Sequence, residues 1–213
     1  MSKLLQLAVS ILTIALFSVS PVLAQATVSK VTDLPSLQSQ LQQFSIVRGD
    51  FTQSRKIEMF DQPLTSQGSF LLDKSHGLLW QQQTPFPVNL VLTEDKLRQT
   101  FANQPAQVIT AQENPMAFYF SKIFLSVFHG DTEQLQSQFK LKLETTSKQW
   151  KLVLVPTQAP LNAVFKSITL TGNQDIDYLA LEEMRGDKTE IHFTNQTHQP
   201  ETLTDAEQAQ FLF

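Results

Sequence analysis

The chain has 213 residues and no cysteine, with 16 basic against 20 acidic side chains and a net charge of −4. That balance argues against nucleic acid as a partner and against electrostatic attachment to an anionic membrane, and the missing cysteines exclude disulfides and thiolate chemistry. Sixteen Phe stand against only 2 Tyr, a choice of rings without a polar handle that suits the wall of a cavity.

Residues 1–24 read as a secretory signal peptide. Lys3 supplies the positive start, Leu4 to Val19 the apolar stretch, and Val22-Leu23-Ala24 a small-residue cleavage site. The remainder, 25–213, reads as one exported domain, and no later apolar run is long enough to span a bilayer as a helix. Residues 33–44 form a first helix with Leu34, Leu37, Leu41 and Phe44 on one face. After it the period changes to two, and strands are predicted over 51–56, 69–74, 78–83, 88–93, 97–103 and 108–111.

The stretch 114–130 reads as a helix with clear ends. Asn114 suits the N-cap, Pro115 the first helical position and Gly130 the left-handed residue after the last turn. Between 116 and 128 only Ser121, Lys122 and Ser126 are not apolar. Phe120, Ile123, Phe124 and Val127 make one face, while Met116, Phe118, Tyr119 and Leu125 spread beyond it. Lys122, Ser126 and His129 form a narrow polar line. At about 1.5 Å per residue the helix is roughly 20 Å long, too short to cross a membrane. It is either a core helix or an apolar lid over a cavity.

Asp131 and Gln134 open a short further helix. Alternation resumes with Phe139, Leu141 and Leu143, then Trp150, Leu152 and Leu154. Strands are predicted over 164–171, 176–184 and 189–194, with turns at Gly172-Asn173 and Gly186-Asp187. Ten or eleven short antiparallel strands, with helices inserted at only two places, imply a mainly β (α+β) fold. Its form is an open, strongly curved antiparallel β-barrel with a helical lid over a hydrophobic cavity.

The four histidines, at 76, 129, 192 and 198, show no metal-ligand spacing, and there is no nucleophile motif. Asp175, Asp177, Glu182 and Glu183 read as solvated turn and strand residues. Arg-Gly-Asp occurs at 48–50 and 185–187, both read as turns. These residues point to a binding protein without metal or cofactor, not an enzyme.

Phe51-Thr52-Gln53 after a leading helix, and Gly68-Ser69-Phe70-Leu71-Leu72-Asp73-Lys74 running to Trp80 and Pro85, resemble the LolA family of lipoprotein carriers. Residues 153–156, Ile168-Thr169-Leu170 and Phe211-Leu212-Phe213 fall where that family has equivalents. The resemblance implies a periplasmic, monomeric carrier whose open barrel shelters lipoprotein acyl chains. Its partners would be an inner-membrane releasing complex and an outer-membrane receptor. The family's lid-holding Arg-Pro pair falls on Lys74-Ser75, and Lys donates as a point charge without the planar fork of Arg. Two alternatives keep the fold: a carrier of another envelope lipid, glycolipid or polyene lipid, and a lipid-sensing regulatory protein. Alternation and the lid reading assign Leu37, Leu41, Phe44, Phe51, Phe70, Leu72, Leu79, Trp80, Phe101, Phe118, Phe120, Ile123, Phe124 and Val127 to the cavity and its cover. Lys74 is the expected lid contact.

Overall fold

Side chains that alternate along each strand dictate a sheet with one apolar face, and the molecule is built on that sheet. A computed structural model of the protein describes residues 30–102 and 104–213; the leader expected over 1–24 lies outside the described residues. The chain begins with α1 (Leu34–Gln42), where the Asp33 carboxylate accepts from the Ser36 amide in a capping box. A meander follows: β1 (Ile46–Lys56), β2 (Leu64–Asp73), β3 (Gly77–Thr84), β4 (Val88–Leu92), β5 (Lys96–Phe101) and β6 (Gln107–Thr110). Next come α2 (Pro115–His129), α3 (Thr132–Gln138), β7 (Phe139–Thr145), β8 (Trp150–Pro156) and the single turn α4 (Leu161–Val164). The chain closes with β9 (Phe165–Gly172), β10 (Ile176–Glu183), β11 (Lys188–Thr197) and α5 (Asp205–Gln210).

Among the described residues the strands form one 11-stranded sheet in the order β6-β5-β4-β3-β2-β1-β11-β10-β9-β8-β7. β1 holds the centre, paired antiparallel with β2 and β11. No pairing joins β6 to β7 among these residues, so the barrel is open, as the alternation predicts. The chain passes from one free edge to the other through α2 and α3. That connection lays the two helices across the gap.

The strand registers define the apolar face. Phe51 lies opposite Gly68 and Phe193, Phe70 opposite Trp80, Leu179 opposite Leu170 and Ile191, and Leu154 opposite Ile168. These side chains share one core with Leu37 of α1 and Phe118, Ile123 and Val127 of α2. Burying each such side chain is worth about 1.5–3 kcal/mol.

The opposite face carries a second, smaller cluster of Leu71, Leu79, Val91 and Phe211. This corrects the assignment of Leu79 to the cavity. Leu78-Leu79-Trp80 is apolar on both faces of β3, so alternation gives no orientation there; the C-terminal segment covers the outer side. The helix count also needs correcting, because α4 and α5 lie outside the two expected places. α4 is one turn long, and α5 buries none of its residues, so neither shows an apolar period. Arg48-Gly49-Asp50 is not a turn but part of β1, beside a bulge. A Cβ at Gly49 would stand 2.9 Å from the Phe70 ring, so glycine there makes room for an aromatic neighbour.

α5 is fastened to the sheet by a paired interaction. Arg48 Nε donates to Glu207 Oε1 at 2.6 Å and Nη2 to Oε2 at 2.8 Å, while Arg98 donates to the carbonyls of Gln210 and Leu212. The Arg48 contact holds the Glu207 carboxyl at about 2, against an ordinary 4.5, even though burial opposes the shift. A lowered folded-state value means this contribution is complete above about pH 4.5 and is lost as pH falls toward about 2. Glu207→Gln is expected to cost about 1–2 kcal/mol at neutral pH in urea unfolding. The difference from wild type should shrink across that acid window.

Candidate functional site

The cover of the sheet is a three-helix unit. At the end of α2, Gly130 adopts φ +65, and a Cβ there would lie 2.9 Å from Leu41 Cβ. Glycine is therefore needed both for the turn and for the close approach of α1. Asp131 accepts from the Gln134 amide at 3.0 Å to start α3. Side chains join the helices: Thr132 Oγ1 donates to Gln38 Oε1 at 2.6 Å, Ser126 Oγ to Gln134 Oε1 at 2.7 Å, and Tyr119 OH to Gln138 Oε1 at 2.8 Å.

Polar ties from α1 to the sheet are few. Lys74 Nζ, at the end of β2, donates to the Leu41 carbonyl at 2.8 Å. A cation on the last-turn carbonyls of a helix is favoured by their orientation. On the other side Gln40 Nε2 donates to the carbonyls of Asn173 and Gln174. α2 and α3 have polar ties of their own to the sheet's loops: Lys122 faces Glu94 at 3.7 Å, and Thr157 Oγ1 donates to the Gln138 carbonyl at 3.0 Å.

Beneath α2 the interior has two unlike halves. One half is filled by rings. Phe51 stacks on Trp80 at 3.6 Å, Phe70 meets Phe193 edge-on at 5.1 Å, and Phe128 meets Phe193 at 5.7 Å. The other half holds a hollow of about 240 Å³. Its floor is Leu92, Ile168, Leu179 and Leu181, its end Leu161 and Phe165, and its roof Ser121, Ile123 and Val127. Sites for drug-sized ligands run to about 300–1,000 Å³. A hollow of about 240 Å³ is smaller than that range, and a larger apolar guest would need the rings or the cover to shift.

The expected site residues are distributed unevenly. Ile123 and Val127 border the hollow. Phe51, Phe70, Leu72 and Trp80 belong to the aromatic half, with Leu37, Leu41 and Phe118 packed in the same core. Phe44 instead stacks on His198 at 3.5 Å. Phe101 sits half-buried at the end of β5, opposite Val88. Phe120 and Phe124 lie on α2, and their side chains fall outside the described residues. Ile168, Leu179 and Leu181 also line the hollow, outside the expected set; Ile168 alternates with Ser167 and Thr169 in β9, a usable signal, whereas Tyr178-Leu179-Ala180-Leu181 is apolar on both faces of β10.

Electrostatics at the joint of α1 and α2 centre on two residues. Burial pushes the Lys74 ammonium below its ordinary value, with Asp175 opposing. Burial likewise pushes the His129 imidazole below 6.5, the Lys74 ammonium adds to the shift, and Asp131 and Asp73 oppose it. The closed joint thus disfavours the protonated imidazole. It is fully stable above the ordinary histidine range and weakens as pH falls through about 6.5. Amide exchange in the last turns of α2 is expected to be several-fold faster at about pH 5.5 than at about 7.5, after correction for intrinsic rates. His129→Gln should remove most of that difference.

An open antiparallel sheet whose two free edges are linked by helices over an apolar hollow defines a class: half-barrel proteins with an apolar interior. The chain belongs to the LolA family, since the family model described as outer membrane lipoprotein carrier protein LolA matches residues 42–207. Solved structures with a similar fold include LolA superfamily protein NE2245 from Nitrosomonas europaea, at 8% identity and TM-score 0.44, covering 83% of this chain and 97% of that one. A putative outer membrane lipoprotein-sorting protein domain from Vibrio parahaemolyticus has 9% identity and TM-score 0.44, with 81% and 93% covered. The MucA/MucB complex of Pseudomonas aeruginosa gives 17% identity and TM-score 0.45, with 76% of this chain and 54% of that chain covered. No curated protein matches the chain.

Proposed function

We propose that the protein is a periplasmic carrier that shields lipoprotein acyl chains beneath α2 and ferries them from the inner to the outer membrane. After removal of residues 1–24, the remainder works as one monomeric domain. It takes cargo from a releasing complex at the inner membrane and yields it to a receptor at the outer one. The observation that carries this reading is the apolar hollow of about 240 Å³ in a LolA-family chain. Burying a methylene is worth about 0.8 kcal/mol, so a 16-carbon chain needs roughly 12 kcal/mol of shelter to travel through water. Release requires a cover that lifts, and the sparse polar ties of α1 suit that need. Binding and movement are the whole task, with no bond made or broken.

Membrane vesicles bearing labelled lipoproteins, together with the releasing machinery, give the test. Addition of the purified protein is expected to bring labelled lipoprotein into a soluble complex. If all label stays with the membrane while a known carrier releases it, lipoprotein is not the cargo. A second reading, another envelope lipid as passenger, is favoured by the small hollow and by Lys74 in place of the family's Arg. Native mass spectrometry of protein taken from its own periplasm separates the two by the mass of the passenger.

A further inference from the structure

The polar line on α2 has no part in the apolar hollow. Ser121, Ile123 and Val127 face that hollow, whereas Lys122, Ser126 and His129 border a second one of about 480 Å³ on another side of the helix. The rest of its wall comes from the β2–β3 turn, with Lys74 and His76, from the β4–β5 turn, with Glu94 and Asp95, and from Leu125, Gln134 and Phe211. This is the larger of the two hollows, and its lining mixes charged side chains of both signs with the apolar Leu125 and Phe211.

The acidic groups here already have partners. Asp73 Oδ1, behind the wall, accepts from the Ser75 and His76 amides and contacts His76 Nδ1, each at 2.8 Å. Glu94 faces Lys122 at 3.7 Å, and Asp95 accepts from Thr93 Oγ1 at 3.1 Å. The basic side is less well matched. Lys74 forms no ion pair among the described residues, and of its three donor hydrogens the Leu41 carbonyl takes one. His129 Nε2 is buried and has no hydrogen-bond partner among the described residues. A half-buried ammonium with no ion pair among the described residues and donor hydrogens to spare, on the wall of a hollow that Lys122 also borders, leaves the site short of an acceptor-rich anion.

We infer that this hollow binds a phosphate-type anion, and that in the loaded protein the anion is the head group of an amphiphile whose tail lies in the apolar hollow across α2. The statement about the tail rests on the carrier reading; the anion site does not. A bare carboxylate would fill little of about 480 Å³, whereas a glycerophosphate-sized head fills more of it and offers several acceptor oxygens to Lys74 and Lys122 on its wall.

Three probes test it by calorimetry, below micelle-forming concentrations: palmitoyl lysophosphatidylglycerol, monopalmitoylglycerol with the same tail and no phosphate, and glycerol 3-phosphate with no tail. The phosphate-bearing amphiphile is expected to bind at least about tenfold more tightly than the neutral one at low salt. Lys74→Gln should bring the two within about twofold, and Lys74→Arg should keep most of the preference. Equal affinities of the two amphiphiles for the wild-type protein would overturn the anion site while leaving the carrier reading intact. That comparison needs no variant to fold. Binding of glycerol 3-phosphate through Lys74, with neither amphiphile bound, would support the anion site, assign it to free phosphate and remove the tail. No binding of any probe would overturn both.

Discussion

Phe51→Ala is expected to lower stability by about 3–5 kcal/mol, a large part of the total for a domain this size. Phe51 lies on the central strand and is 1% exposed. Its ring stacks on Trp80 at 3.6 Å, and its register partners are Gly68 and Phe193. Truncation removes the transfer energy of the ring, leaves a void that strands on both sides cannot close, and forfeits about 0.5–1.5 kcal/mol of ring–ring contact. Urea unfolding followed by tryptophan fluorescence reads the loss. A shift of less than about 1.5 kcal/mol would mean that the aromatic half is loosely packed. The same substitution opens space toward the neighbouring hollow. An acyl probe should therefore bind more tightly to the variant than to wild type, even as the fold weakens. Opposite signs for stability and affinity are what a carrier with a partly filled interior should give.

How far the sequence reveals this arrangement depends on whether the signal is local. The ends of α2 are legible because Pro115 and Gly130 carry their own conformational preferences, and Gly130 does adopt positive φ. The succession of antiparallel strands follows from alternation and turn residues, whereas the β1–β11 pairing that makes β1 central joins strands far apart in the chain. Strand lengths follow less well: β1 begins at Ile46 rather than 51, through Arg48-Gly49-Asp50, and β2 at Leu64 rather than 69, through Thr65, Ser66 and Gln67, where polar side chains and glycine erase the period. Leu79 is ambiguous because its neighbours on β3 are apolar on both faces. Which half of the interior is hollow is not a local property. Rings from β1, β2, β3 and β11 meet and fill one side, while Ile168 and Leu179 lie under a part of α2 that leaves them room. Only the registers of distant strands decide that. The Lys74 contact with the Leu41 carbonyl likewise joins separate elements, and the family resemblance pointed to it where spacing did not.

Leu179→Trp is expected to reduce affinity for an acyl probe by about a hundredfold with little harm to the fold. Leu179 is 1% exposed and forms part of the floor of the hollow. Overpacking a filled core costs about 1–3 kcal/mol, but filling a void returns about 0.5–2 kcal/mol, so the unfolding midpoint should move little. If the indole takes the place of roughly four methylenes at about 0.8 kcal/mol each, the loss is about 3 kcal/mol of binding. Leu79→Trp is the matched control. It also places an indole at a buried leucine, but on the outer face beside Phe211, and should leave affinity unchanged. A probe that binds Leu179→Trp as well as wild type must lie elsewhere, and the aromatic half is then the place to look. Phe51→Ala decides that case, because the space it opens starts in that half, against Trp80. If Leu179→Trp and Phe51→Ala both leave affinity untouched, the interior beneath α2 carries no acyl chain.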